Sequence, residues 1–251
     1  MLRRVSVFTV AAIMLAGCAA ERPGNAAEPT APGWVSQIPV SPLPQERNGI
    51  EAVPVPVAQE AVLEAMVAQV SGIAEGEITR LLTDQETTTT SEAVLAFSTE
   101  GNESAFQATA TWGDYTVSIV GSDDAWWMSA NSTYAEAVHE PDLTDGMCMS
   151  PADTIASSWR WLAGPAAVFT GLSATGVWGA AVLDEPGGIA VFPVTESGAV
   201  VGSVQVAATG AALPVSLDVD DPSGRGQVRF GDWSDDMIVA EPPCVGESPT
   251  S

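Results

Sequence analysis

Between residues 57 and 73 the apolar side chains of Val57, Val62, Leu63, Met66, Val67, Val70 and Ile73 recur at three- and four-residue steps. That period places them on one stripe of a helix. After residue 90 the period shortens to two. Segments 93–98, 105–112, 115–120 and 125–130 read as strands, with Gly- or Asp-containing turns at 100–102, 113–114 and 121–124. A second helix is predicted after Cys148, with Ser150 as N-cap, Pro151 in the first helical position and Asp153 in the first turn. It runs to about Ala163 before Gly164-Pro165 stops it, and it sets Ile155, Trp159 and Leu162 on one face. Strands are predicted again at 167–170, 176–183, 188–195, 200–207, 215–219, 227–233 and 237–240. No internal repeat is evident, so the economical reading is one α+β domain over residues 57–245, with an antiparallel curved sheet packed on helices.

The two ends do not fit that domain. Arg3 and Arg4 precede an uncharged apolar run of 12 residues, 5–16, which is too short to stay in a membrane as a helix of about 20 residues. It reads as a signal peptide, residues 1–17. The tetrad Leu15-Ala16-Gly17-Cys18 matches the lipobox of bacterial lipoproteins, in which the cysteine becomes the first residue after cleavage. A thiol is the group required, because it forms a stable thioether to diacylglycerol while the freed amine takes a further acyl chain such as palmitate. Two or more chains anchor firmly where one binds only marginally. The expected location is therefore the extracytoplasmic face of the cell membrane, with the protein lipid-anchored through Cys18; the competing reading is a plain secretory signal. Residues 18–56 carry the lipidated Cys and eight prolines among Ala, Gly and Glu, the composition of a tether, and residues 246–251 form a polar tail.

Composition narrows the partners. Losing the two arginines of the signal leaves six Arg and no Lys against 32 Asp and Glu, a formal charge of −26. Such a surface repels nucleic acid and anionic headgroups, and no nucleic-acid partner is expected. Beyond Cys18 the cysteines are Cys148 and Cys244. In an oxidising exported compartment an isolated pair most simply forms one disulfide, with two free thiols as the alternative. A metal site is not expected from one His and no CxxC spacing.

Four segments of the C-terminal third form a recognisable pattern: 200–206 (VVGSVQV), 213–219 (LPVSLDV), 228–233 (VRFGDW) and 238–243 (IVAEPP). Through Leu213, Pro214, Phe230, Asp232, Trp233 and Pro242 the chain resembles the LppX/LprG-type actinobacterial lipoproteins. Asp124-Ala125-Trp126-Trp127-Met128 and Tyr134 are similar to the midchain strand of that family. The resemblance implies a LolA-like half-barrel sheet of about ten strands wrapped over two or three helices. It also implies an apolar cavity that holds acyl chains or a glycolipid and carries them across the envelope. The cavity wall is expected to include Trp127, Ile155 and Trp159.

A carrier needs no nucleophile, and none is recognised: there is no GxSxG elbow, no SxxK, no Walker loop and no HExxH. The chain is read as non-enzymatic, without a cofactor. His139, the one imidazole, is either a general base or a structural residue at a helix end, and the second reading fits its setting better. Asp123-Asp124, Asp220-Asp221 and Asp235-Asp236 pair acids as Ca²⁺ ligands do, yet all sit in predicted turns, where solvated loops carry such pairs. Eight tryptophans serve either as sugar platforms or as interior packing; their placement in predicted elements favours the interior. Alternation allows only one of Trp126 and Trp127 to face inward. The non-catalytic alternative to a carrier is a scaffold lipoprotein whose interior its own side chains fill.

Overall fold

The computed structural model describes residues 47–83, 90–173, 176–184, 188–221, 224–236 and 239–244. The signal, the lipobox with Cys18, most of the tether and the tail lie outside the described residues. Twelve strands form one antiparallel sheet: β1 (Ser71–Thr83), β2 (Thr90–Asn102), β3 (Ala105–Trp112), β4 (Tyr115–Ser122), β5 (Trp126–Ala130), β6 (Met147–Met149), β7 (Val177–Trp178), β8 (Val182–Asp184), β9 (Ile189–Glu196), β10 (Ala199–Ala207), β11 (Pro214–Asp221) and β12 (Gly224–Ser234). Their order is β6-β5-β4-β3-β2-β1-β12-β11-β10-β9-β7, with β8 also on β9. The sheet is open, ending at the short strands β6 and β7, which limits the unpaired edge.

Two meanders, β1 to β6 and β9 to β12, join along β1 and β12, where Ala74 faces Phe230 and Ile78 faces Gly226. Each hairpin has the turn its residues demand. Gly113 (φ 59°) and Asp114 link β3 to β4, with a positive φ at the first central residue only, the type II′ arrangement. Ser197 (φ 51°) and Gly198 (φ 85°) link β9 to β10 with both positive, as type I′ requires.

Alternation assigns the faces. Phe106, Ala108 and Ala110 on β3 are buried while Gln107 and Thr109 are not, and Val117 and Ile119 on β4 repeat the pattern. The inner face so defined meets α1 (Val55–Val67), α2 (Ser132–Val138), α3 (Thr154–Ser158) and α4 (Pro165–Ser173) in one core that includes Phe192, Val204, Leu217 and Val228. Each large side chain fully buried there contributes roughly 1.5–3 kcal/mol. Thr99 Oγ1 donates to the Leu162 carbonyl at 2.8 Å, pinning the 3-10 turn Arg160–Leu162 to β2.

Several boundaries differ from the sequence reading. The first helix ends at Val67, and the apolar residues at 70 and 73 continue its period by coincidence, since β1 starts at Ser71. Residues 47–56, assigned to the tether, belong to the packed body: Arg47 bridges Thr209, Asn48 Nδ2 donates to the Ala207 carbonyl at 2.8 Å and Ile50 is buried. Asp153, not Ser150, caps the second predicted helix, its side chain accepting from Ile155 N, and that helix is one and a half turns long. Segment 167–170, predicted as a strand, is the centre of α4. Gly164-Pro165 therefore begins a helix as well as ending one: Gly164 takes φ 85° and Pro165 the first helical position. Residues 239–240 are not in a strand.

Candidate functional site

The lower end of the sheet, where β2 passes to β3 and β4 to β5, meets the start of α4. An opening of about 250 Å³ lies there, lined by Glu103, Ser122, Asp123, Trp126, Arg160 and Ala163, with Pro151 and Ala167 completing it. Its rim is charged and its floor apolar. Trp126 is 3 % exposed and meets Phe106 edge to face, ring centroids 5.0 Å apart. Gly121 makes room for that pair: the Phe106 ring lies where a Cβ on Gly121 would stand. Ala163 is 6 % exposed. The floor is thus continuous with the buried interface of sheet and helices.

That interface is filled by interlocked aromatic rings. Phe97 meets Trp161 at 5.0 Å, and Phe169 meets Trp178 and Phe230 at 5.9 and 5.7 Å, all edge to face. Trp178 is buried, yet its Nε1 has no hydrogen-bond partner, an orphaned donor in an apolar interior.

The sequence-predicted wall residues do not share a cavity. Trp126 takes the inward position and Trp127 the outer face, beside Cys148 in register and with its indole against Gly146, whose φ of 85° and lack of Cβ permit the approach. The assignment of Trp127 to the interior is therefore corrected. Ile155 is half-buried on α3. Trp159 is buried, but its Nε1 donates to the Tyr134 hydroxyl at 2.8 Å, so it braces α3 against α2. Burial pushes the Tyr134 phenol above its ordinary value, while its hydrogen bonds with Trp159 and Ser158 act the other way. Trp126, Arg160 and Ala163 were missed. No local signal singles out Trp126: its place opposite Gly121, where a ring can be accommodated, follows only from the register with β4.

Cys148 on β6 is bonded to Cys244, with Cα atoms 5.7 Å apart. His139 is exposed and closes α2 in the left-handed conformation, φ 62°. No group of three His, Cys, Asp or Glu able to hold a metal ion occurs among the described residues. On the outer face a depression of about 630 Å³ over β12 and β1 to β3 is wide open to solvent, lined by Glu75, Glu77, Gln227 and Arg229 together with Ala96 and Phe97 among others.

No protein-family model and no curated protein matches the chain. Solved structures do. LprF from Mycobacterium bovis is 13% identical, with 75% of this chain and 98% of that one covered and a TM-score of 0.39. The Mycobacterium tuberculosis lipoprotein LppX is 13% identical, with 72% and 96% covered and a TM-score of 0.38. A LolA superfamily protein from Nitrosomonas europaea is 11% identical, with 74% and 96% covered and a TM-score of 0.32. At this distance the likeness carries no activity with it, and function has to be read from the chain's own residues.

Proposed function

We propose that this is an envelope lipoprotein, anchored through Cys18, that binds acyl chains or lipids between its sheet and its helices and carries them across the envelope. The observation that carries the reading is the opening beside Trp126, Arg160 and Ala163, charged at its rim and apolar at its floor. An amphiphile needs that order of surfaces. Leaving a chain of about sixteen carbons in water costs roughly 12 kcal/mol, at about 0.8 kcal/mol per CH₂, so a protein that hides it lowers the barrier to transfer. The opening is smaller than the roughly 300–1,000 Å³ of small-molecule sites. Binding a whole chain therefore requires α4 to move away from β1 and β2.

A second reading is a scaffold lipoprotein with a filled interior, and the interlocked rings of Phe97, Trp161, Phe169 and Trp178 favour it. Titration of the delipidated mature chain with a fluorescent fatty acid separates the two. Saturable binding that Ala163→Phe abolishes, with little change in stability, supports the carrier. Absence of binding, with a loss of about 1–3 kcal/mol in that variant from overpacking, leaves the scaffold.

A further inference from the structure

Helix α1 carries apolar side chains on more than the face it buries. Ala58, Val62 and Met66 point into the core. At 100° per residue Leu63 and Val67 fall on an adjoining flank, and Val70 follows just past the helix end. Leu63 is 41 % exposed, Val67 79 % and Val70 46 %, with Val57 at 48 % and Val53 at 37 % nearer the start of the helix. Half of the exposed large apolar side chains described thus fall between residues 53 and 70. Ordinary surface helices are polar on the side away from the core.

We propose that this ridge of α1 docks on the surface of the membrane that holds the anchor, inserting Leu63, Val67 and Val70 at the boundary of headgroups and acyl chains. The proposal rests on the lipid anchor of the reading above, but not on acyl-chain binding. Two observations select the occupant. The tether of that reading leads into the body at Arg47, and α1, which starts eight residues on, is the first α-helix among the described residues after it. Tethering keeps that helix at a high effective concentration beside the bilayer. Charge supplies the second argument. Glu60 and Glu64 are exposed on the same helix, α1 has no basic residue, and the whole chain carries a formal charge of −24. A second copy would set these carboxylates against their own kind, and an acidic partner would be repelled. A zwitterionic lipid surface carries no net charge to oppose Glu60 and Glu64, which lie beside Val67 on the helix and stay at the level of the headgroups.

The charge makes a distinctive expectation: binding should weaken as anionic lipid is added and recover with salt, the reverse of a basic membrane-binding helix. The experiment uses the full mature chain with Cys18→Ala, so that the anchor does not mask a weaker contact. It is sedimented with vesicles of phosphatidylcholine alone, and of phosphatidylcholine containing one part in three of phosphatidylglycerol. Binding that rises with phosphatidylcholine, falls about tenfold in a Val67→Glu variant and falls again on anionic vesicles is the expected result. Val67 is mostly solvent-exposed, so the variant should keep the parent's melting temperature, which thermal denaturation verifies. Equal binding by parent and variant, or no binding by the parent, would overturn the proposal. So would sedimentation velocity that finds a dimer dissolved by Val67→Glu, which would give the ridge to a second copy. Fatty-acid titration of the same variant keeps the two readings apart. If the parent binds vesicles and no fatty acid, the carrier reading alone fails.

Discussion

Cys244 is bonded to Cys148 although β12, the strand that leads to Cys244, stands six places from β6, the strand that holds Cys148. Six strand spacings of about 4.8 Å come to about 29 Å in a flat sheet, and ten extended residues after Ser234 reach about 33 Å. This strap is long enough to make that span. Val239 lies against Gly101 part-way along it, and Pro242 is buried. The bond ties the outer edge of the first meander to the middle of the open sheet.

Removing that bond should loosen the strap and lower stability. For a loop of 96 residues the chain-entropy argument gives roughly 4–5 kcal/mol as an upper figure. Urea unfolding of a Cys148→Ser, Cys244→Ser double variant should show a deficit of that order, with amide exchange rising at 239–244. An unchanged midpoint would mean that the sheet holds its curvature unaided.

Tyr134 offers a pH test. Its folded pKa is raised above the ordinary value of 10.0, chiefly by burial, so the unfolded chain releases this proton first. Its contribution to stability is complete below about pH 10 and is lost as pH climbs from there through the folded value. Unfolding free energies of the parent and Tyr134→Phe, measured from about pH 8 to pH 11, should converge at the alkaline end. At neutral pH the variant should be about 1–3 kcal/mol weaker, because Trp159 Nε1 loses its acceptor. A gap that stays constant across the range would show that the phenol is as wet when folded as when unfolded.

Strict alternation made most strands legible, but the sequence reading assigned no strand to β1 or β6. β3 runs from Ala105 to Trp112, as its residues predict, because small or aromatic inward positions alternate with Gln and Thr outward. Helices were harder where local chemistry has two meanings. Asn131-Ser132-Thr133 has the pattern of a glycosylation acceptor, yet Asn131 Oδ1 accepts from Tyr134 N at 3.1 Å and caps α2, while its Nδ2 donates to the Asp114 carbonyl at 2.6 Å. In α4, Val168 and Phe169 favour a strand by propensity, but both are buried in the core, and tertiary packing overrides the preference. For the candidate site, alternation told only that one of Trp126 and Trp127 faces inward. Which one depends on the register with β4, a relation between distant residues that no local pattern carries.

That register has a direct test in the two neighbouring tryptophans. Trp126→Ala empties a buried position against Phe106 and should cost about 3–5 kcal/mol. Trp127→Ala removes a half-buried ring from the outer face and should cost well under half as much. Chemical denaturation of the two variants compares them side by side. If the order were reversed, the faces of β5 would be exchanged and the opening beside Trp126 would lose its floor.

Anchoring is the remaining prediction, and it stands on the chemistry of four residues. Leu15, Ala16 and Gly17 offer the small, apolar approach that cleavage before Cys18 needs, and Cys18 supplies the thiol for the diacylglycerol thioether. No helix among the described residues is long and apolar enough to cross a membrane. A dually acylated cysteine would then provide attachment that salt washing does not reverse. Cys18→Ala should block lipidation and move exported protein from the detergent phase to the aqueous phase of a phase-separation experiment. The ridge on α1 sharpens the expectation: the released protein should still associate weakly and reversibly with zwitterionic vesicles, and Val67→Glu should weaken that association about tenfold. A Cys18→Ala protein that stays in the detergent phase after salt washing would place the anchor elsewhere in the chain, and with it would fall the argument that a tether from Cys18 holds α1 beside the bilayer.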